Sequence, residues 1–136
     1  MFDLDLMENI SFSNPVVILV NGKFPSHSLS IQKLNNAGTI ICTDGSADKL
    51  LAHERTPDVI IGDMDSTKLN KDDFKGVWSI APDQNKTDLQ KTLDWCIVND
   101  LKDVTVLGAT GKREDHSLGN LHVLAEFSQK LKMKFF

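Results

Sequence analysis

The chain has 136 residues, 40% of them apolar and 25% charged, and a net charge of −4. That balance suits one folded domain with one core and argues against disordered, collagen-like and coiled-coil chains. It lacks the basic footprint of a nucleic-acid binder, and no apolar run approaches the ~18 residues of a membrane span. The opening MFDLDLMENI carries acidic residues where a signal peptide needs basic ones. Neither a nucleic acid nor a membrane is therefore an expected partner, and the cytoplasm is the expected compartment. Cys42 and Cys96 stand far apart, in an apolar run and an amphipathic stretch. They read as buried free thiols, which suits a reducing environment.

Segment 16–20, VVILV, is a buried-strand candidate. A helix is expected over 28–36, closed by Gly38, and TIICT over 39–43 is a second strand. A second helix over 45–54 stops before Pro57, and DVIIG over 58–62 is a third strand. A short helix is expected over 67–75, then a weaker fourth strand, VWSI, over 77–80. Thr87 and Gln90 have capping-box spacing, and Leu89, Leu93, Cys96 and Ile97 fall on one face of the helix they open. VTVL over 104–107 is a fifth strand. A last helix over 116–130 is expected to bury Leu118, Leu121, Leu124 and Ala125. The closing KLKMKFF reads either as the first strand of a further unit or as a frayed tail.

Strands of continuous apolarity, each separated by a helix, imply a parallel sheet covered on both faces. The expected fold is a three-layer α/β domain, Rossmann-like, with a mostly parallel sheet, helices on both faces and a core over about 16–130.

In such a sheet ligands sit beyond the carboxyl ends of the strands. Four strand-end segments carry carboxylates there: TDGSAD with Asp44, GDMDS with Asp63 and Asp65, APDQNKTD with Asp88, and GATGKREDHSLGN with Asp115. Each has an ordinary explanation as a cap or turn residue. Their joint placement on one edge is what points to chemistry, because converging carboxylates repel unless a cation sits among them. An all-oxygen donor set suits Mg2+ completed by phosphate oxygens. The GATGK run at 108–112 is not a P-loop: two residues, not four, separate its glycines, and Arg113 follows the lysine.

GDMDS at 62–66, PDQNKTD at 82–88 and GATGKREDH at 108–116 with Asn120 together resemble the thiamin pyrophosphokinase family. TDGSA at 43–47 resembles that family's early A-D-G-G-A element. The resemblance implies Mg2+-dependent transfer of a diphosphate from ATP to the hydroxyl of thiamin, giving thiamin diphosphate and AMP. It implies Asp63, Asp65 and Asp88 as metal ligands, and Gln84 facing thiamin. Thr87, Arg113, Asp115, His116 and Asn120 would line the ATP pocket, with Asp44 nearby. Attack on the β-phosphorus relies on positioning and charge neutralisation. Arg113 would stabilise the transferring group, and Asp63 or Asp65 would accept the hydroxyl proton. The resemblance further implies a homodimer and a C-terminal β-sandwich domain beginning where this chain stops. Two positions depart from the family pattern: Lys112 and Ser46 stand where glycines are usual.

Two other readings remain open at this point. IIGDMDST over 60–67 matches the D-x-D-x-T signature of haloacid dehalogenase-like phosphatases, with Asp63 as nucleophile and Asp65 as acid/base. That motif normally opens its domain, whereas two strands precede it here. The other is a non-catalytic nucleotide-binding module.

Overall fold

The computed structural model describes residues 12–21, 24–43, 45–62, 76–79, 87–101, 103–108 and 122–135. The strands are β1 (Val16–Leu19), β2 (Thr39–Thr43), β3 (Val59–Ile61), β4 (Val77–Ser79), β5 (Asp103–Leu107) and β6 (Lys132–Phe135). The helices are α1 (Ser28–Asn35), α2 (Ser46–Ala52) and α3 (Asp88–Val98), and residues 122–127 are helical. The short helix expected over 67–75 and the start of the last helix lie outside the described residues.

Six strands form one sheet in the order β4-β3-β2-β1-β5-β6, and every neighbouring pair is parallel. Val16 of β1 lies opposite Thr39 of β2 on one side and Val104 of β5 on the other. All four β1 residues are buried, as a strand covered on both faces must be. Alternation sends Val16, Ile18 and Val20 into one core and Val17 and Leu19 into the other.

The first core receives Leu89, Leu93 and Cys96 of α3 with Val123, Leu124 and Phe127 of the last helix. The second receives Leu34 of α1 with Ala47 and Leu50 of α2. This is the expected three-layer arrangement, and it follows from handedness. The chain steps outward from β1 through β2 and β3 to β4, then returns beyond β1 to β5 and β6. Reversing the walk moves the connecting helices to the opposite face.

Local chemistry sets the helix ends. His27 Nδ1 accepts a hydrogen bond from Leu29 N at 3.3 Å and opens α1. At the far end of α1, Arg55 donates from Nη1 to Leu34 O and Asn35 O at 3.2 and 2.9 Å, and from Nη2 to Ala37 O at 2.8 Å. One guanidinium thus satisfies carbonyls that a helix terminus leaves orphaned. Helix α2 ends in a Schellman motif, with Glu54 N bonded to Leu51 O, Arg55 N to Leu50 O, and Glu54 at φ 63°. Helix α3 ends the same way, with Asp100 at φ 60° and Leu101 N bonded to Cys96 O.

Four expectations are corrected. The KLKMKFF tail is neither frayed nor the start of another unit: residues 132–135 form β6 and pair with β5 from Asp103 to Val106. The last helix ends at 127 rather than 130, in a turn whose Lys130 N and Leu131 N both bond to Phe127 O. Ala125 is exposed, and Val123 and Phe127 do the burying with Leu124. Ile97 is 39% exposed, because it has turned past the face that Leu89, Leu93 and Cys96 press onto the sheet.

Candidate active site

Parallel strands share one carboxyl edge, and β1 and β5 leave the centre of this sheet in opposite topological directions. That switch point is where doubly wound sheets open a crevice. Val20 N donates to Leu107 O at 2.8 Å and ties the two strand ends together. Beside them Ser46, fully buried, places its hydroxyl 2.8 Å from both Leu19 O and Thr43 O. The first residue of α2 is thereby fastened to the ends of β1 and β2. Strands β3 and β5 run out into Gly62 at φ 154° and Gly108 at φ 75°. Side-chain-bearing residues rarely adopt such angles, so glycine lets the chain turn sharply at both exits.

Helix α3 connects β4 to β5, so it runs antiparallel to the strands and its N-terminus stands at the carboxyl edge. It packs across β2 and β3. The capping box is formed: Gln90 N donates to Thr87 Oγ1 at 3.2 Å, and Thr87 N donates to Gln90 Oε1 at 2.8 Å. Asp88, the first helical residue, is thereby held at the edge with its carboxylate half exposed. Thr92 Oγ1 donates to Asp88 O at 2.8 Å and braces the same turn.

Of the residues singled out in the sequence, the structure therefore places Thr87 and Asp88. Asp44, Asp63, Asp65, Gln84, Arg113, Asp115, His116 and Asn120 lie outside the described residues. Their chain neighbours are placed: Thr43 ends β2 immediately before Asp44, Gly62 precedes Asp63, and Gly108 begins the segment carrying Arg113. Among the described residues no group of three His, Cys, Asp or Glu side chains could hold a metal ion.

Two residues at this edge were not singled out in the sequence. Thr43 is buried, and its Oγ1 has no hydrogen-bond partner. It shares a face with Ile41, the face that α3 covers. An unpaired buried hydroxyl costs about 1–3 kcal/mol, and no local sequence pattern announces one. Lys91 has a side chain only 7% exposed, with Nζ 4.0 Å from Asp88 Oδ1. Its signal was legible: a cation in the first turns of a helix, where the macrodipole favours anions.

Neither thiol is prepared for nucleophilic chemistry. Burial pushes Cys42 and Cys96 each up to about 12, so neither supplies a thiolate near neutrality. For Cys42, Ser46 opposes that rise by hydrogen bonding, and the Asp58 charge adds to it.

A half-exposed carboxylate at the head of α3 is the kind of hard oxygen donor that a divalent cation takes together with phosphate oxygens. An all-parallel, doubly wound sheet defines the α/β class, in which ligands bind beyond the carboxyl ends of the strands. The chain belongs to the thiamin pyrophosphokinase family: that family's model, described as "Thiamin pyrophosphokinase, catalytic domain", matches residues 31–136. It is 30% identical over 122 residues to thiamin pyrophosphokinase 1 of Caenorhabditis elegans, covering 82% of this chain and 50% of that one. It is also 30% identical over 138 residues to thiamine pyrophosphokinase 1 of Oryza sativa subsp. japonica, covering 82% and 52%. A solved structure of a probable thiamine pyrophosphokinase from Staphylococcus saprophyticus matches with TM-score 0.65 and 28% identity, over 89% of this chain and 64% of that one. The chain thus spans about half the length of the curated relatives it matches.

The family match replaces the phosphatase reading of 60–67. Two strands do precede β3, and β3 lies two strands from the switch point. Among the described residues no helix is long and apolar enough to cross a membrane.

Proposed function

We propose that this chain binds ATP with Mg2+ and provides the catalytic domain of a thiamin pyrophosphokinase, transferring diphosphate from ATP to the thiamin hydroxyl with release of AMP. The family match carries the reading. The placement of Asp88 supports it, since the capping box fixes the start of the helix on which this residue stands.

Asp63, Asp65 and Asp88 would hold the metal. Bound there, Mg2+ supplies charge neutralisation to the transferring phosphates. Thr87, Arg113, Asp115, His116 and Asn120 line the ATP pocket with Asp44 nearby, and Gln84 faces thiamin. Arg113 stabilises charge on the transferring group, and Asp63 or Asp65 accepts the proton of the attacking hydroxyl. The active assembly is a homodimer in the cytoplasm.

Calorimetric titration with a non-hydrolysable ATP analogue, with and without Mg2+, tests the site. Binding that requires Mg2+ and disappears in Asp63→Asn and Asp88→Asn is expected. Equal binding without the metal, or in either variant, overturns the ligand assignment. AMP release from ATP that depends on added thiamin distinguishes the transferase from a module that only binds nucleotide.

A further inference from the structure

Lys91 sits where two physical effects disfavour it. Its side chain is buried in the first turns of α3, where most of its contact with water is lost, and the N-terminal end of a helix carries partial positive charge. Helix stability alone offers no reason for a cation here. The compensating group on the page is Asp88, three residues earlier, whose Oδ1 lies 4.0 Å from Lys91 Nζ. A hydrogen-bonded ion pair closes to about 2.7–2.9 Å, so this is a charge contact without a short hydrogen bond. The two partners differ in access: the Asp88 side chain, at the N-terminal end of α3, is 47% exposed, whereas that of Lys91 is 7% exposed. An incoming cation can therefore reach the carboxylate from the solvent side while the ammonium stays in place.

We propose that Lys91 is a positioning residue that stands in for the metal, holding and neutralising the Asp88 carboxylate until a divalent cation binds it. The proposal rests on Asp88 being a metal ligand. It explains how the Asp88 carboxylate is balanced when metal-free.

The consequence runs opposite to that of a structural role. Removing a lysine that merely supports the fold loosens the site and weakens metal binding. Removing a stand-in cation deletes a positive charge that opposes the metal, and binding tightens. A unit charge about 6 Å from a divalent ion in a water-like medium corresponds to about a tenfold change in affinity.

The test is Mn2+ titration of the full chain without nucleotide, with free Mn2+ followed by its paramagnetic resonance signal and folding checked by circular dichroism. Lys91→Met and Lys91→Gln are each expected to bind Mn2+ about tenfold more tightly at low salt, with the gain shrinking as added salt screens the charges. Lys91→Arg, which keeps the charge, should stay near the parent. Unchanged or weaker Mn2+ binding in the folded neutral variants overturns the proposal. Asp88→Asn separates the two layers. If it leaves Mn2+ affinity intact, Asp88 is no ligand and both readings fall. If it abolishes binding while the Lys91 variants show no gain, only the proposal about Lys91 falls.

Discussion

The hydroxyl of Ser46 lies 2.8 Å from the carbonyl oxygen of Leu19, 27 positions earlier in the chain. The same hydroxyl reaches Thr43 O at 2.8 Å, so its one proton is shared between the ends of two adjacent strands. Ser46→Ala leaves both carbonyls without that donor in a fully buried site. The expected loss is about 1–3 kcal/mol of unfolding free energy, read as a lower urea midpoint at unchanged slope. An unchanged midpoint would show that the strand ends find other donors.

The reciprocal bonds between Thr87 and Gln90 make the start of α3 sensitive to small changes. Thr87→Ala is expected to cost about 1 kcal/mol, and Thr87→Ser much less. Because Asp88 is the next residue, Thr87→Ala should also weaken Mg2+-dependent binding of an ATP analogue. Calorimetry on both variants checks this: a stability loss with no loss of binding would detach the cap from the site.

Gly38 is required by contact rather than by dihedral angle. A Cβ there would lie 2.7 Å from Ser13 O and closer still to Asn14 O, both of them backbone atoms. Gly38 N also donates to Pro15 O at 2.8 Å, so the two segments are held together. Gly38→Ala is expected to destabilise by about 1–3 kcal/mol, the usual range for forcing added atoms into a packed site. Thermal unfolding measures it, and a midpoint equal to the parent's would mean that the 13–15 segment moves aside freely.

The thiols predict a loss of stability at alkaline pH. Cys42 and Cys96 ionise near 12 when folded against a reference value of 9.0. A raised pKa means that the folded state keeps a proton the unfolded chain releases, so stability is intact below about pH 9 and declines between 9 and 12. Each thiol contributes a slope of up to about 1.4 kcal/mol per pH unit in that window. Urea midpoints at pH 8 and pH 10 for the parent and for Cys42→Ala check it, since the variant should show the shallower decline. Equal declines would mean that the Cys42 thiol ionises alike in both states.

Much of the architecture is legible in short stretches of chain. VVILV and TIICT are apolar without alternation, which suits a strand covered on both faces, and both are buried on both faces here. The Thr87–Gln90 spacing announced the start of α3 because a capping box is a contact between residues three apart. Asp88 was legible as an edge carboxylate because its segment follows the fourth strand and opens the next helix. Ile97 misled because helical spacing assigns a face but not its width. Leu89, Leu93 and Cys96 fill the stripe that meets the sheet, and Ile97 falls at its margin.

The sequence alone determined the segments that form β1 to β5, where α3 begins, that both cysteines are buried, and which family motifs follow the strands. These depend on composition and on neighbours within one turn or one pleat. Only the tertiary structure decided the order β4-β3-β2-β1-β5-β6, the enrolment of KMKF as β6, the orphaned hydroxyl of Thr43, and the burial of Lys91 behind Asp88. Those depend on partners far along the chain. Val16 has the same local character whether Thr39 and Val104 flank it or not. An alternating KLKMKFF becomes a strand because β5 presents an open row of backbone donors and acceptors beside it.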